Sequence, residues 1–383
     1  MAPNHSFERT CPSARRGSLR SSKLVGHAAQ LRIRWADSDA RAEDFMAGRT
    51  RMDSIGPVSV KRLLTVCAVL AFWAIGLAPV AFGQVYHVQQ MNTEQIRALD
   101  RQRTVVILPG GILEQHGPYL PSFTDGYRNE RLTQDLASAI VARPGWSVLV
   151  FPLIPLGAGG ANEIGGKYSF SGTFAVRMAT LRAVFMDLAT ELGDQGFKWI
   201  FVVHSHGSPN HYLALNQAGD YFHDSYGGRM VNLFGLIRPE LDKVSQDLMS
   251  DDERKADETA IDHGAMRETS EILFLHPELV NPGFRTATPY RTRDPKHAAD
   301  IARAGNWPGY FGSPSVASAA YGAKYWQHFS SWAVELALKI LDGFDYSQIK
   351  GVEENPISQA ALENERRKQQ KQSEWLKAKG YER

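Results

Sequence analysis

The chain has 383 residues, 43% of them hydrophobic and 22% charged, with 43 Lys and Arg against 41 Asp and Glu. These are the proportions of an ordinary globular protein, and they exclude a wholly disordered, collagen-like or disulfide-framed chain. A net charge of +2 gives no electrostatic reason to expect a nucleic-acid partner.

That charge is unevenly placed. Residues 1–62 carry twelve basic and six acidic residues, a surplus of six, so the remainder carries a deficit of four. Residues 1–51 are Arg- and Ser-rich without sustained apolar periodicity, and a disordered leader is expected there. Residues 52–83 have the layout of a secretory signal peptide. Lys61-Arg62 precede an apolar run from Leu63 to Leu77, then Pro79 and the small residues Ala81 and Gly83, with cleavage expected before Gln84. Met52 is then a candidate translation start. The apolar run is shorter than the roughly 20 residues of a membrane span, so no stable membrane insertion is expected once the signal is removed; an uncleaved anchor is the alternative. Cys11 and Cys67 both precede Gln84. The mature chain therefore offers no thiolate ligand or nucleophile, and a periplasmic or secreted location does it no harm.

From residue 84 to 350 the pattern is that of a single α/β domain. TVVILP at 104–109, SVLVFPLI at 147–154 and KWIFVV at 198–203 are short apolar runs suited to a sheet covered on both faces. Between them, Leu132, Leu136 and Ile140 mark a helix over 129–141, and Met178, Leu181, Phe185, Leu188 and Leu192 a second over 174–192. Strand, helix, strand, helix, strand implies a mainly parallel central sheet flanked by helices. Further helices are expected over 268–274, stopping near Pro277, and over 326–344. Residues 351–383, rich in Glu, Lys, Arg and Gln, are expected to form a charged, exposed helical tail.

The glycine-rich stretch from Gly157 to Lys167 is not a nucleotide site: Asn162 stands where a dinucleotide fingerprint needs glycine, and Ala161 and Tyr168 break a P-loop. Neither a G-x-S-x-G elbow nor an H-E-x-x-H helix occurs. Four polar clusters remain. Glu114 and His116 follow the first strand and share a face in extended chain, with Asp125 nine residues on; His204 and His206 follow the third strand; Asp262-His263 and Glu268 come later. Ligands of open α/β sheets bind beyond the carboxyl ends of the strands, and imidazole with carboxylate suits Zn²⁺, Mn²⁺ or a related ion. Taken singly, each has a plainer reading. Glu114 and His116 can be a loop hydrogen-bond pair, His204 an orienting or packed ring, Asp262 a solvated group or a partner of His263, and Glu268 a first-turn acid.

Taken together the segments resemble a known family. Leu108-Pro-Gly-Gly-Ile-Leu-Glu114-Gln-His116-Gly-Pro-Tyr-Leu-Pro-Ser-Phe-Thr-Asp125 is similar to the leading motif of the creatininase (creatinine amidohydrolase) family. Phe170-Ser-Gly-Thr173, His204-Ser-His206-Gly-Ser-Pro-Asn210 and Asp262-His263-Gly-Ala-Met-Arg-Glu268-Thr-Ser270 resemble its later elements, in the same order. The resemblance implies an α/β fold, two divalent ions (Zn or Mn) and hydrolysis of a small, possibly cyclic, amide through a hydroxide bridging them. It also implies a homo-oligomer, commonly a hexamer. Glu114, Asp125 and His206 would hold one ion, and His116, the bridging Asp125 and one more carboxylate the other. Where creatinine-cleaving members carry that carboxylate this chain has Ser208, which makes Glu268 the substitute. His263 and Glu268 are the candidates for proton transfer. Tyr119, Ser171 and the loop 157–169 depart from the family pattern, so creatinine itself is not the expected substrate. Cleavage of a short peptide or formamide is the alternative, and a non-catalytic extracytoplasmic binding protein a third.

Overall fold

A computed structural model describes residues 83–381, apart from 260 and 350–356. The leader and most of the signal segment lie outside the described residues. Five strands form one sheet: β1 (Val85–His87), β2 (Thr104–Pro109), β3 (Ser147–Val150), β4 (Trp199–Val203) and β5 (Arg229–Asn232). The helices are α1 (Thr93–Arg97), α2 (Thr124–Val141), α3 (Met178–Asp194), α4 (Pro209–Tyr226) and α5 (Leu233–Leu248), followed by α6 (Asp251–Ala256), α7 (Met266–Leu275), α8 (Pro295–Arg303), α9 (Ala319–Leu341) and α10 (Gln359–Lys379).

The sheet order is β1-β3-β2-β4-β5 and every pairing is parallel. Parallel strands need cover on both faces, and the alternation of side chains along each strand supplies two apolar surfaces. Val105, Ile107, Phe201 and Val203 pack with Leu132, Leu136 and Ile140 of α2 and with residues of α5 and α9. Val106, Leu108, Ile200 and Val202 pack on the other face with Leu181 and Phe185 of α3 and Leu215 and Phe222 of α4. From β2 the chain moves outward to β3 through α2, then returns across β2 to β4 through α3. The order reverses between β2 and β4, where α/β sheets open a crevice for ligands.

The three expected strands are present, the second ending at Val150 because Pro152 cannot continue the ladder. Helix α2 begins at Thr124, five residues earlier than the apolar spacing implies, and so takes Asp125 into its first turn. Strand β5, helix α4 and helix α5 were not anticipated. The 351–383 segment is helical over Gln359–Lys379, but Ala361 and Asn364 are buried, so one face of it is docked. Among the described residues no helix is long and apolar enough to cross a membrane.

Asp257 pins the far side of the site region. It is 5% exposed, and its Oδ1 accepts from Ser313 N at 2.5 Å and Met266 N at 3.3 Å, tying the start of α7 to the strand-like segment before α9. Burial, with the nearby Asp262 charge, pushes its carboxyl from 3.8 up to about 7. The folded form then keeps a proton that the unfolded chain releases above pH 4, so this residue's contribution to stability falls as pH rises from about 4 to about 7. Asp257→Asn keeps an acceptor oxygen without the charge. Urea unfolding at pH 4.5, 5.5 and 6.5 should show the variant gaining on the parent by up to about 1.4 kcal/mol per pH unit; parallel profiles would show that Asp257 is ionised in the fold.

Candidate metal centre

The neighbouring strands β2 and β4, with Pro109 paired to Val203, end side by side. The chain leaving β2 makes an isolated contact to Ile154 and reaches Glu114, whose N–H donates to Ser122 O at 2.7 Å. The chain leaving β4 reaches His206 three residues on. Asp125 comes from the first turn of α2 and Glu268 from the first turn of α7. His206 Nδ1 lies 3.2 Å from Glu114 Oε2 and 3.1 Å from Asp125 Oδ2, and His116 Nε2 lies 3.5 Å from Glu268 Oε2. These five side chains are each at most 5% exposed.

Each histidine is aimed by the nitrogen it does not offer. His206 Nε2–H donates to Gly159 O at 2.7 Å and His116 Nδ1–H donates to Glu114 O at 2.9 Å. The opposite nitrogens are left facing the carboxylates, the arrangement in which a backbone carbonyl orients a metal-ligating imidazole. Glycine is required at 159: its φ is +80°, and a Cβ there would meet Asn210 Oδ1 and Ser208 Oγ at 2.1 Å. Glu114 Oε1 also accepts from Ala161 N, so the loop after β3 holds two members of the cluster.

The charges are mutually dependent. Burial opposes ionisation of Glu114, but His263, His206 and His116 outweigh it and hold its carboxyl at about 2. Burial likewise opposes charge on His206, yet Glu114 and Asp125 raise its pKa well above the ordinary histidine value. Glu268 is lowered in the same way against the cost of burial, by His116, then Arg267, His263 and Arg128. Behind this layer, Arg128 Nε donates to Glu271 Oε1 at 3.0 Å and Arg267 Nη1 to Glu271 Oε2 at 2.9 Å. Arg128 Nη1 stands 3.6 Å from Asp125 and 3.8 Å from Glu268. Five carboxylates (Glu114, Asp125, Asp262, Glu268, Glu271) thus meet two guanidinium groups, an excess of acidic groups that the histidines or bound cations can balance.

Three overlapping sets of ligand atoms lie within 4.8 Å of one another: Glu114, Asp125 and His206; His116, Asp125 and Glu268; and Glu114, His116 and His263. Six of the eight residues in the four polar clusters thus converge, all but His204 and Asp262, and the six line one cavity of about 310 Å³. His263 Nε2 lies 2.7 Å from Gln115 O and 3.9 Å from Glu114 Oε1, and burial, the largest influence on it, lowers its pKa. His204 stays out of the cluster. It is fully buried against Phe185 and His211, and burial and the nearby His206 push its pKa down to about 3. Asp262 pairs with Arg267 Nε, not with His263. Arg128, Arg267 and Glu271 were not singled out from the sequence. Their spacing held the signal: Arg128 is one turn after Asp125, and Glu271 one turn after both Arg267 and Glu268.

A family model described as creatinine amidohydrolase matches residues 89–337. The chain belongs to the creatininase family. Creatinine amidohydrolase of Pseudomonas putida is 26% identical over 183 residues, covering 46% of this chain and 66% of that protein. Mycofactocin precursor peptide peptidase of Mycolicibacterium smegmatis is 32% identical over 124 residues, covering 30% and 45%. The matched stretches thus span less than two thirds of either of these relatives. A solved creatininase structure shares 22% identity at a TM-score of 0.50, covering 67% of this chain and 97% of its own. A creatininase variant complexed with creatine gives 21%, 0.50, 67% and 98%. These solved structures share the creatininase fold seen here.

Removing one member of a buried ion-pair network strands its partners. Arg128→Met should therefore lower the unfolding free energy of the metal-free protein by about 3 kcal/mol, and adding Glu271→Gln should restore part of it. Chemical denaturation in chelator-treated buffer measures both; an Arg128→Met variant as stable as the parent would refute the assigned charge balance.

Proposed function

We propose that this member of the creatininase family is an exported, metal-dependent amidohydrolase that cleaves a C–N bond of a small, non-peptide amide. The observation that carries the reading is the pair of ligand sets sharing Asp125. Their hard oxygen and imidazole donors, without sulfur, fit Zn²⁺ or Mn²⁺. Glu114, Asp125 and His206 would hold one ion; His116, Asp125 and Glu268 would hold the other. Glu268 thereby takes the part of the carboxylate that Ser208 does not provide, which argues against the reading as a binding module without catalysis.

When bound, such ions would supply Lewis acidity to the substrate carbonyl and would bring the pKa of a bound water to about 7. The chain does the rest. Gly159 O and Glu114 O fix the tautomers of His206 and His116, so the ligand nitrogens need no reorganisation. Arg267 and Arg128, with His116, favour the ionised form of Glu268, which suits it to ligation and leaves proton delivery to the leaving nitrogen to His263. Burial holds that ring near its neutral form, able to take a proton and give it up. A cavity of about 310 Å³ is at the small end for ligand sites.

A second substrate class, a short peptide, is favoured by the likeness to a mycofactocin precursor peptide peptidase. Export is supported by Lys61-Arg62 and the apolar run that follows; a natural product beginning at Gln84 in the extracytoplasmic fraction is the expected finding.

Metal analysis tests the centre directly. The purified, loaded protein should hold two equivalents of Zn or Mn, His116→Ala and His206→Ala one each, and Asp125→Ala neither tightly, since both sets share it. His116→Ala and Asp125→Ala should each abolish amide hydrolysis with the circular-dichroism spectrum of the parent. A folded protein that takes up neither metal under any loading condition would overturn the reading.

A further inference from the structure

Helix α10 and the two residues before it lie beyond residue 337, where the family match ends. Yet Ile357, Ser358 and Ala361 line the same cavity as Glu114, His116 and His206. The Ser358 hydroxyl oxygen is engaged as the helix N-cap, accepting from Ala361 N at 3.1 Å. What this segment presents to the cavity is therefore mainly aliphatic, and Ile164 and Ile261 extend the apolar lining.

Polar contacts, not apolar burial, hold the helix in place. Asn364 Nδ2 donates to the buried Glu163 Oε1 at 2.6 Å. Glu365 Oε1 accepts from Met178 N at 2.7 Å, capping α3 from outside where Arg177 provides no side-chain cap. Lys368 Nζ donates to Ala175 O at 2.9 Å, and the Arg367 guanidinium lies 5.5 Å from the Tyr168 ring centroid. All four contacts land on residues 163–178. The start of this loop also supplies Gly159 O to His206 and Ala161 N to Glu114. The helix thus grips the loop that grips the ligands.

We propose that α10, with Ile357, is the specificity wall of the pocket: Ile357 and Ala361 select amides bearing a short apolar substituent, and Asn364 fixes the loop that completes the cavity. The substrate is an amide only under the amidohydrolase reading, on which this proposal rests; the selection for short apolar groups is read separately.

The test uses the full-length protein loaded with Co²⁺, whose visible absorption reports ligand binding, and the carboxylates acetate, butyrate and hexanoate as product-like probes. Ile357→Ala should widen the pocket and raise the affinity for hexanoate relative to acetate by about tenfold. Ala361→Leu should shift that ratio by about tenfold in the opposite direction. Two variants with the parent's ratios would overturn the wall. A second measurement needs no metal: Asn364→Ala should speed amide hydrogen exchange over residues 159–168 by at least about tenfold, and parent-like exchange there would overturn the anchoring. Failure of the parent to take up Co²⁺ while Asn364→Ala still loosens the loop would sink the metal-centre reading and leave the docking of α10 standing.

Discussion

The structure turns on the burial of carboxylates. Moving a charged group out of water costs several kcal/mol unless its neighbours return it, and here Glu114, Asp125, Glu268 and Glu271 are all nearly inaccessible to solvent. Arg128 and Arg267 answer Glu271 and part of Glu268. The rest falls to histidines, and the raised pKa of His206 is the mark of that demand: between two carboxylates the ring holds a proton against the cost of burying it. Divalent cations answer the same demand with more charge in less space.

The sheet makes that concentration possible. Because the strand order reverses between β2 and β4, the connections leaving these two strands diverge and leave a crevice at their carboxyl ends. Helix α2 rises on one face and the β3–α3 loop covers the opening, so one element from each direction contributes to the cluster. Helices supply Asp125 and Glu268, the segment after β2 supplies Glu114, and the loop supplies backbone groups: Gly159 O and Ala161 N touch the ligands without adding charge. The loop is tied back to the segment after β2 through Phe174 N and Leu113 O at 2.8 Å, and α10 adds contacts from outside through Asn364, Glu365 and Lys368.

Much of this was legible in the primary structure, for physical reasons that differ by element. Strands β2 and β4 are covered on both faces, so they appear as continuous apolar runs, and α2 and α3 show their buried stripes at helical spacing. Strand β1 is three residues long and β5 carries Arg229 and Asn232, too short and too mixed to stand out. Helix α4 buries Asn210, His211 and Tyr212 beside Ala214 and Leu215, so its inner face looks polar. The tail misled for the complementary reason. Its docked face is built from Asn, Glu, Lys and Arg, residues whose usual place is solvent, and a pattern of hydrophobicity cannot report a surface held by hydrogen bonds.

What the order of residues determined by itself was the kind of chemistry and its address. The clusters around Glu114, Asp125, His206 and Glu268 resemble the creatininase motifs in residue type and order, and two of them stand just after strand-forming runs. Which atom faces which, however, was decided only in three dimensions. That His206 offers Nδ1, that Glu268 comes to Asp125 and His116, that Asp262 turns to Arg267, and that a distant C-terminal helix completes the cavity all depend on contacts between segments far apart in the chain, up to 201 residues from Glu163 to Asn364. Local sequence governs backbone propensity and burial over a few turns; the direction of a buried side chain is set by whichever distant groups satisfy its charge and hydrogen bonds.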